Sequence, residues 1–222
     1  MRAQRVACQV CRGPVSAGFT RCYQCDLHWR IAGGQLADAV VPIGYAVKGG
    51  QFGTDLWRYK WDDDAAAAGR LQRILWDFLR GHAGCVQRAA GMTSPPTRLA
   101  VVPSGQGRAG PHPLERIVAS CLALPRVSLS SCAQPAARGR QVDPGWIQVS
   151  GGVAGERVLV IDDTWVSGGS AQSAAVALRR AGAVRVAVVV LGRHVNPADP
   201  RVAALRSARI LHPQCASRPA GL

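Results

Sequence analysis

Hydrophobic and polar positions along the chain follow two different periods, which predict alternating strands and helices. Three short apolar runs are typical of buried strands: 98–102, 157–161 and 184–191. A further apolar stretch at 40–47 is followed by a glycine-rich turn at 49–53. Apolar residues that recur every three or four positions predict two helices, one around 71–79 that Gly81 is placed to end, and one around 114–122.

The C-terminal half carries the clearest fold signal. A buried strand at 157–161 is followed by a glycine-containing loop, a helix to about Ala181, Gly182 as its stop and a second strand. Strand, helix and strand with short links form a parallel pair whose faces are covered by helices. The sequence therefore predicts an α/β fold with a parallel sheet. The segment 125–155 is weakly patterned, with a short strand expected near 127–129.

Composition excludes two broad classes of protein. With 48% hydrophobic and 18% charged residues, the chain is not mostly disordered. The apolar run at 184–191 is far shorter than the roughly 20 residues of a membrane-spanning helix. Residues 1–8 lack the apolar segment of a secretory signal. We therefore expect a cytoplasmic protein with no membrane partner.

The chain is strongly basic and almost all of its cations are arginines. Twenty-seven Lys and Arg residues against 13 acids give a formal net charge of +14, and Lys48 and Lys60 are the two lysines. Such a balance suits polyanions such as nucleic acid or phosphorylated metabolites. A GC-rich coding sequence, which favours Arg, Ala, Gly and Pro, explains the same balance equally well. The net charge alone therefore does not identify a binding partner.

Four cysteines near the N-terminus have the spacing of a metal site, C-x2-C-x10-C-x2-C: Cys8, Cys11, Cys22 and Cys25. Two such pairs complete a tetrahedral four-thiolate shell, so we expect structural rather than catalytic zinc. A redox site and a chance spacing are the alternatives, but a redox site has one CxxC in a βαβ setting. We expect a small zinc ribbon at 1–35, an α/β domain at 36–222, and His28 as an ordinary surface residue.

The most informative segment is 158–170, in which a buried strand leads to Asp162 and Asp163 and then to a loop of small and hydroxylated residues. Ligands of open α/β sheets bind at the carboxyl ends of strands, and glycines before a helix let backbone N–H groups approach an anion. The loop lacks the P-loop signature and the three-glycine spacing of dinucleotide-binding folds. A phosphate cradle beside two acceptors suits a ribose 5-phosphate. A purely structural role, in which the acids turn the chain and cap the helix, is the alternative.

This segment resembles the phosphoribosyl pyrophosphate (PRPP) motif of type I phosphoribosyltransferases. Together with the four-cysteine ribbon, it resembles the ComF family (ComF/GntX-like proteins). Tyr59 and Lys60 look like that family's lysine-containing segment ahead of the first long helix. The resemblance implies a parallel-sheet type I phosphoribosyltransferase fold with a small N-terminal zinc ribbon, and a Mg²⁺-dependent reaction of PRPP with a nitrogenous acceptor.

The resemblance also implies roles for particular residues. Asp162 and Asp163 would be catalytic and accept hydrogen bonds from the ribose hydroxyls, directly or through magnesium-bound water. The 5-phosphate would be bound by Thr164, Val166, Ser167, Gly168, Gly169 and Ser170. The pyrophosphate would be bound by Pro103, Ser104, Gly105 and Arg108. Residues 107–113 depart from the family's usual run after the pyrophosphate loop.

Two functions from different classes remain open at this point. The first is a phosphoribosyltransferase that binds PRPP or a related nucleotide. The second is a non-enzymatic protein of DNA uptake and competence that contacts nucleic acid and keeps the ribose-phosphate site as an effector pocket. A homodimer is a candidate assembly in either case. Catalysis separates the two functions, since both retain ligand binding.

Overall fold

The computed structural model describes residues 6–104, 112–132 and 140–206. Its main sheet has four parallel strands in the order β1-β6-β5-β2, namely β1 (Ala39–Val47), β6 (Arg185–Val195), β5 (Arg157–Trp165) and β2 (Arg98–Val101). A separate antiparallel pair joins β3 (Ser128–Ser131) to β4 (Ile147–Ser150). The predicted α/β class with a parallel sheet is confirmed.

Six helices accompany these strands within the described residues. They are α1 (Tyr23–Ala32), α2 (Gln51–Trp61), α3 (Ala65–Ala89), α4 (Pro113–Cys121), α5 (Gly169–Arg180) and α6 (Arg201–Arg206). Short 3-10 turns cover Gly33–Gln35 and Pro144–Trp146.

The two faces of the sheet are buried under different layers. In β5, Val158 and Val160 pack with α5 and with the buried cysteines, whereas Leu159 and Ile161 pack under α2, α3 and α4. This alternation is the two-residue period of a strand covered on both faces. It also places Asp162 and Asp163, the next two residues, on opposite faces of β5.

Several sequence expectations about element bounds are wrong. Gly81 does not end its helix, because α3 continues to Ala89 with Leu79 and Val86 still buried on the same side. The glycine-rich segment at 49–53 is not only a turn: α2 begins at Gln51, preceded by Gly49 at φ +82°. Gly182, with φ +100°, does follow the end of α5 as predicted.

The N-terminal metal segment is not a simple ribbon. One isolated antiparallel bridge joins Ala7 and Pro14, and the second cysteine pair lies at the start of a helix, with Cys22 preceding α1 and Cys25 inside it. We call residues 6–32 the cysteine module. Three of its cysteines belong to the same buried cluster as one face of the main sheet.

Candidate functional site

Asp162 and Asp163 lie within the last four residues of β5 rather than after the strand, since β5 runs to Trp165. Both side chains are buried. They form part of a cavity of about 320 Å³ at the carboxyl edge of the sheet, which we call the aspartate cavity. Its lining residues are Lys60, Val102, Pro103, Ser104, His112, Asp162, Asp163, Thr164, Val166, Ser167, Gly168, Gly169 and Ser170.

Three side chains surround the Asp163 carboxylate: two from α2 and one from the residue that precedes α4. Tyr59 donates its hydroxyl to Asp163 Oδ2 at 2.5 Å, and Lys60 Nζ lies 2.8 Å from the same oxygen. His112 Nε2 is 3.7 Å away. The His112 Nδ1 atom accepts the backbone N–H of Leu114 and so caps α4, which leaves Nε2 to carry the proton that faces Asp163.

The two aspartates titrate in opposite directions. Burial, reinforced by the neighbouring charge of Asp163, raises the pKa of Asp162 to about 7. Burial also opposes ionisation of Asp163, but Lys60, His112 and Tyr59 outweigh it and hold the pKa of Asp163 below its ordinary value. Asp163 is therefore a fixed anion, whereas Asp162 changes charge near neutral pH.

The β5–α5 loop (166–168) is shaped by two glycines that tolerate no side chain. Gly168 has φ +86°, and a β-carbon there would lie 2.6 Å from Trp165 Cη2 and closer still to two other atoms of the indole. A β-carbon on Gly169 would lie 2.7 Å from the carbonyl oxygen of Gln141. Trp165 is thus buried against Gly168 and does not line the aspartate cavity, whereas residues 166–170 do.

The cavity brings together most of the residues that the sequence singled out. Every predicted ribose and 5-phosphate residue lines it, and so do Pro103 and Ser104 of the predicted pyrophosphate group. Gly105 and Arg108 lie outside the described residues, so their placement stays a prediction. Tyr59 touches the site through Asp163 without lining the cavity.

Four cysteines of the cysteine module could hold a metal ion. Their Sγ atoms all lie within 4.8 Å of one another, and Cys11 Sγ is 3.7 Å from Cys22 Sγ. Four sulfurs at the zinc–sulfur distance of about 2.3 Å stand about 3.8 Å apart in a tetrahedron, so the arrangement fits zinc. Cys8 Sγ also accepts the backbone N–H of Cys22, which draws the two pairs together.

The cysteine module contacts Arg193 of β6, which in turn binds the β5–α5 loop, and it also contacts Arg140; sequence reasoning missed both contacts. Arg193 Nη1 donates to the carbonyl oxygens of Trp165 at 3.0 Å and Val166 at 3.1 Å, and its guanidinium group lies so close to Gly13 that a β-carbon there would be 2.8 Å from Nε and closer still to Nη2. His28 is buried, not exposed as expected, and its Nε2 lies 3.2 Å from the carbonyl oxygen of Arg140. No sequence signal links these residues: His28 and Arg140 lie 112 positions apart, and Arg193 lies on the next strand, 28 positions after Trp165.

No protein-family model and no curated protein matches the chain. Solved structures similar to it include orotate phosphoribosyltransferase of Mycobacterium tuberculosis H37Rv, with 20% identity over 64% of this chain and 78% of that one, at a TM-score of 0.37. Another is hypoxanthine phosphoribosyltransferase of Staphylococcus aureus, with 12% identity over 59% and 75% of the two chains and a TM-score of 0.37.

Phosphoribosylpyrophosphate synthetase of Mycobacterium smegmatis is 19% identical, with a TM-score of 0.34. The alignment covers 60% of this chain and spans only 36% of that one. At these identities and TM-scores, the likeness by itself establishes no shared activity. In the described part of the chain, no helix combines the length and apolarity needed to cross a membrane.

Proposed function

We propose that the aspartate cavity binds PRPP or a ribose 5-phosphate-containing nucleotide, and that the protein is a phosphoribosyltransferase of the ComF type. The proposal rests on one observation: two kinds of binding group, carboxylates and a glycine loop at a helix N-terminus, line a single cavity of about 320 Å³. Both carboxylates are buried, and the glycine loop precedes α5. These are the partners that a diol and a phosphate require.

The phosphate end is built from backbone. Helix α5 begins at Gly169, so its unpaired N–H groups and partial positive charge face the loop. Ser167 and Ser170 add hydroxyl donors at the cavity wall. The absence of side chains at Gly168 and Gly169 lets a phosphate approach the backbone closely. In the proposed complex, the 5-phosphate lies over residues 166–170.

The diol end consists of two carboxylates whose pKa values are shifted in opposite directions. Asp162 and Asp163 would accept hydrogen bonds from the ribose 2- and 3-hydroxyls. Tyr59 and Lys60 fix the orientation of the Asp163 carboxylate, so little ordering is left for ligand binding. Carboxylate oxygens are ligands that Mg²⁺ prefers, and Asp162 and Asp163 would hold it with PRPP, where it would neutralise charge on the leaving group.

The proposed reaction joins an acceptor nitrogen to ribose C1. The C1–N bond forms as the C1–O bond to pyrophosphate breaks, the electron pair leaves with pyrophosphate, and the nitrogen loses its proton to water. Residues 102–104 also line the cavity and would hold the pyrophosphate, together with Gly105 and Arg108. Preorganised donors at the developing charge are the main source of acceleration in such a step.

The cysteine module would carry structural zinc, which stabilises a segment too small to fold on its own core. A four-thiolate site suits a reducing compartment, so we place the protein in the cytoplasm. We retain the division into a zinc-binding unit at 1–35 and a phosphoribosyltransferase-like unit at 36–222. Through Arg193, the zinc-binding unit would also support the β5–α5 loop.

A specific surface favours nucleic-acid binding as a second candidate function. Phe19, Tyr23 and Trp29 are exposed aromatic residues of the cysteine module. The Arg21 guanidinium lies 4.5 Å from the centre of the Trp29 ring. Aromatic faces interleaved with arginine are what single-stranded nucleic acid stacks on. Such binding would weaken steeply with added salt, and a salt-insensitive or absent gel shift would remove this candidate.

The ligand proposal is tested by calorimetry with ribose 5-phosphate and with PRPP plus Mg²⁺. Ser170→Glu places a carboxylate in the phosphate end and should abolish binding, while Asp162→Asn should weaken it at least tenfold. Gln72→Glu adds the same negative charge on an exposed face of α3 and is the matched control. Equal affinities for Ser170→Glu and Gln72→Glu would refute the phosphate assignment. Release of pyrophosphate, screened over purines, pyrimidines and ammonia, then decides between enzyme and effector site.

A further inference from the structure

A second cavity, of about 480 Å³, adjoins the aspartate cavity at the same edge of the sheet. The two share Lys60 and Thr164 as lining residues. The remaining polar and aromatic wall comes from Lys48, Trp57, Trp61 and His194. We call it the tryptophan cavity. Its volume lies in the range of small-molecule sites, which is about 300–1,000 Å³.

Two tryptophans give this cavity a surface for a flat ring. Trp57 and Trp61 stand one turn apart on α2 and keep 55% and 44% of their surface exposed. Indole rings left this accessible beside a concave site offer stacking area that costs little conformational entropy to order. The apolar part of the wall, which includes Leu56, excludes a ligand that is polar on every side.

The charges of the tryptophan cavity are all of one sign. None of its described lining residues is an acid. The chain has 27 Lys and Arg residues, of which Lys48 and Lys60 are the two lysines, and both line this cavity. Lys60 forms an ion pair with Asp163, whereas Lys48 has no carboxylate partner among the described residues. One compact ammonium group is therefore available to a ligand.

His194 adds a neutral hydrogen-bonding group. Burial, together with the charges of Arg193 and Lys48, lowers the pKa of His194, so the imidazole is uncharged at neutral pH. A neutral imidazole can donate from one nitrogen and accept at the other. A single cationic partner balances a monoanion such as a carboxylate better than a doubly charged phosphate.

We propose that the tryptophan cavity binds the acceptor, and that this acceptor is a planar nitrogen-containing ring carrying a carboxylate. The ring stacks on Trp57 and Trp61, the carboxylate pairs with Lys48, and His194 hydrogen-bonds a ring substituent. The role as acceptor rests on the proposed function. The ligand class rests on the walls of this cavity alone.

The test uses two pairs of probes that differ only by the carboxylate: orotate against uracil, and 2-aminobenzoate against aniline. Each is titrated calorimetrically into the full-length, zinc-loaded protein. The carboxylated member of each pair should bind at least tenfold more tightly. Lys48→Gln should reduce that preference to twofold or less, and Lys48→Arg should keep most of it. Trp57→Leu should weaken both members of a pair alike, with thermal unfolding showing that the variant is folded.

Arg73→Gln is the matched control, because it removes one positive charge from an exposed site on α3 outside the cavity. Equal binding of the paired probes, or equal losses in Lys48→Gln and Arg73→Gln, would overturn the proposal. If ribose 5-phosphate binds but no ring does, this inference fails and the proposed function stands. If carboxylated rings bind through Lys48 but neither ribose 5-phosphate nor PRPP binds, the proposed function fails and the ligand class stands.

Discussion

Replacing Gly168 with alanine tests how far the shape of the β5–α5 loop depends on a missing side chain. At φ +86°, an alanine costs about 1–2 kcal/mol of backbone strain. Its β-carbon would also overlap the indole of Trp165, which is 1% exposed and cannot swing away. Overpacking of a rigid buried group costs about 1–3 kcal/mol more. We therefore expect the free energy of unfolding to fall by about 2–5 kcal/mol.

Gly18 provides the matched control for this change. It has the same φ, +86°, but a β-carbon there meets nothing within 4 Å. Gly18→Ala should therefore show only the backbone strain, so the two variants should differ by about 1–3 kcal/mol. For a chain of this length, that difference corresponds to about 2–12 °C in Tm.

Two measurements decide the matter: thermal unfolding of both variants, and calorimetric titration with ribose 5-phosphate. We expect Gly168→Ala to lose at least tenfold in affinity, because the loop must move off Trp165, and Gly18→Ala to keep wild-type affinity. Equal Tm values for the two variants would show that the indole contact does not shape the loop. If Gly168→Ala lowers the stability but leaves the affinity for ribose 5-phosphate unchanged, the loop does not take part in binding this ligand.

Three further predictions concern pH, metal and the contact between Arg193 and the loop. The pKa of Asp162 is about 7 in the folded chain and near 4 when unfolded, so the folded state binds the extra proton. Stability should fall by up to about 4 kcal/mol as pH rises from 4 to 7, and urea unfolding of Asp162→Asn should show a flatter profile. Treatment with a chelator, or Cys25→Ser, should lower Tm by more than 10 °C, because a metal held by the four cysteines would stabilise the cysteine module. Arg193→Lys should weaken ribose 5-phosphate binding several-fold by loosening the Trp165 and Val166 carbonyls, while Arg185→Lys on the exposed start of β6 should not.

Each of these predictions has a result that counts against it. Parallel pH profiles for the wild type and Asp162→Asn would mean that Asp162 is ionised throughout the range. Asp163 cannot mask the effect, because its lowered pKa confines its own contribution to the region below about pH 4. Insensitivity to chelators would argue against a structural metal. Equal affinities of the Arg193→Lys and Arg185→Lys proteins would show that Arg193 does not support the loop.

Local features of the chain were predictable from the sequence because their signals are local. The run of apolar residues at 157–161, the acid pair and the glycines lie within 13 consecutive positions, so their order along the chain implies strand, site and helix. The spacing of the four cysteines likewise implies that their thiols can meet. The expectation that Gly81 ends its helix is wrong because a single glycine costs a helix only about 1 kcal/mol. Burial of the side chains on either side of Gly81 outweighs that cost.

The remaining features depend on which strands become neighbours, and no local pattern encodes that choice. The order β1-β6-β5-β2 packs α2 and α4 on one face of β5, so Tyr59, Lys60 and His112 converge on Asp163 from 104 to 51 positions away in the chain. The tertiary fold likewise brings Arg193 of β6 to the Trp165 and Val166 carbonyls, and His28 to the carbonyl of Arg140. The sequence by itself therefore determined the groups that carry the chemistry. Only the tertiary structure decided which of them are ionised, fixed in place or open to a ligand, because burial and charge pairing arise from contacts between distant segments.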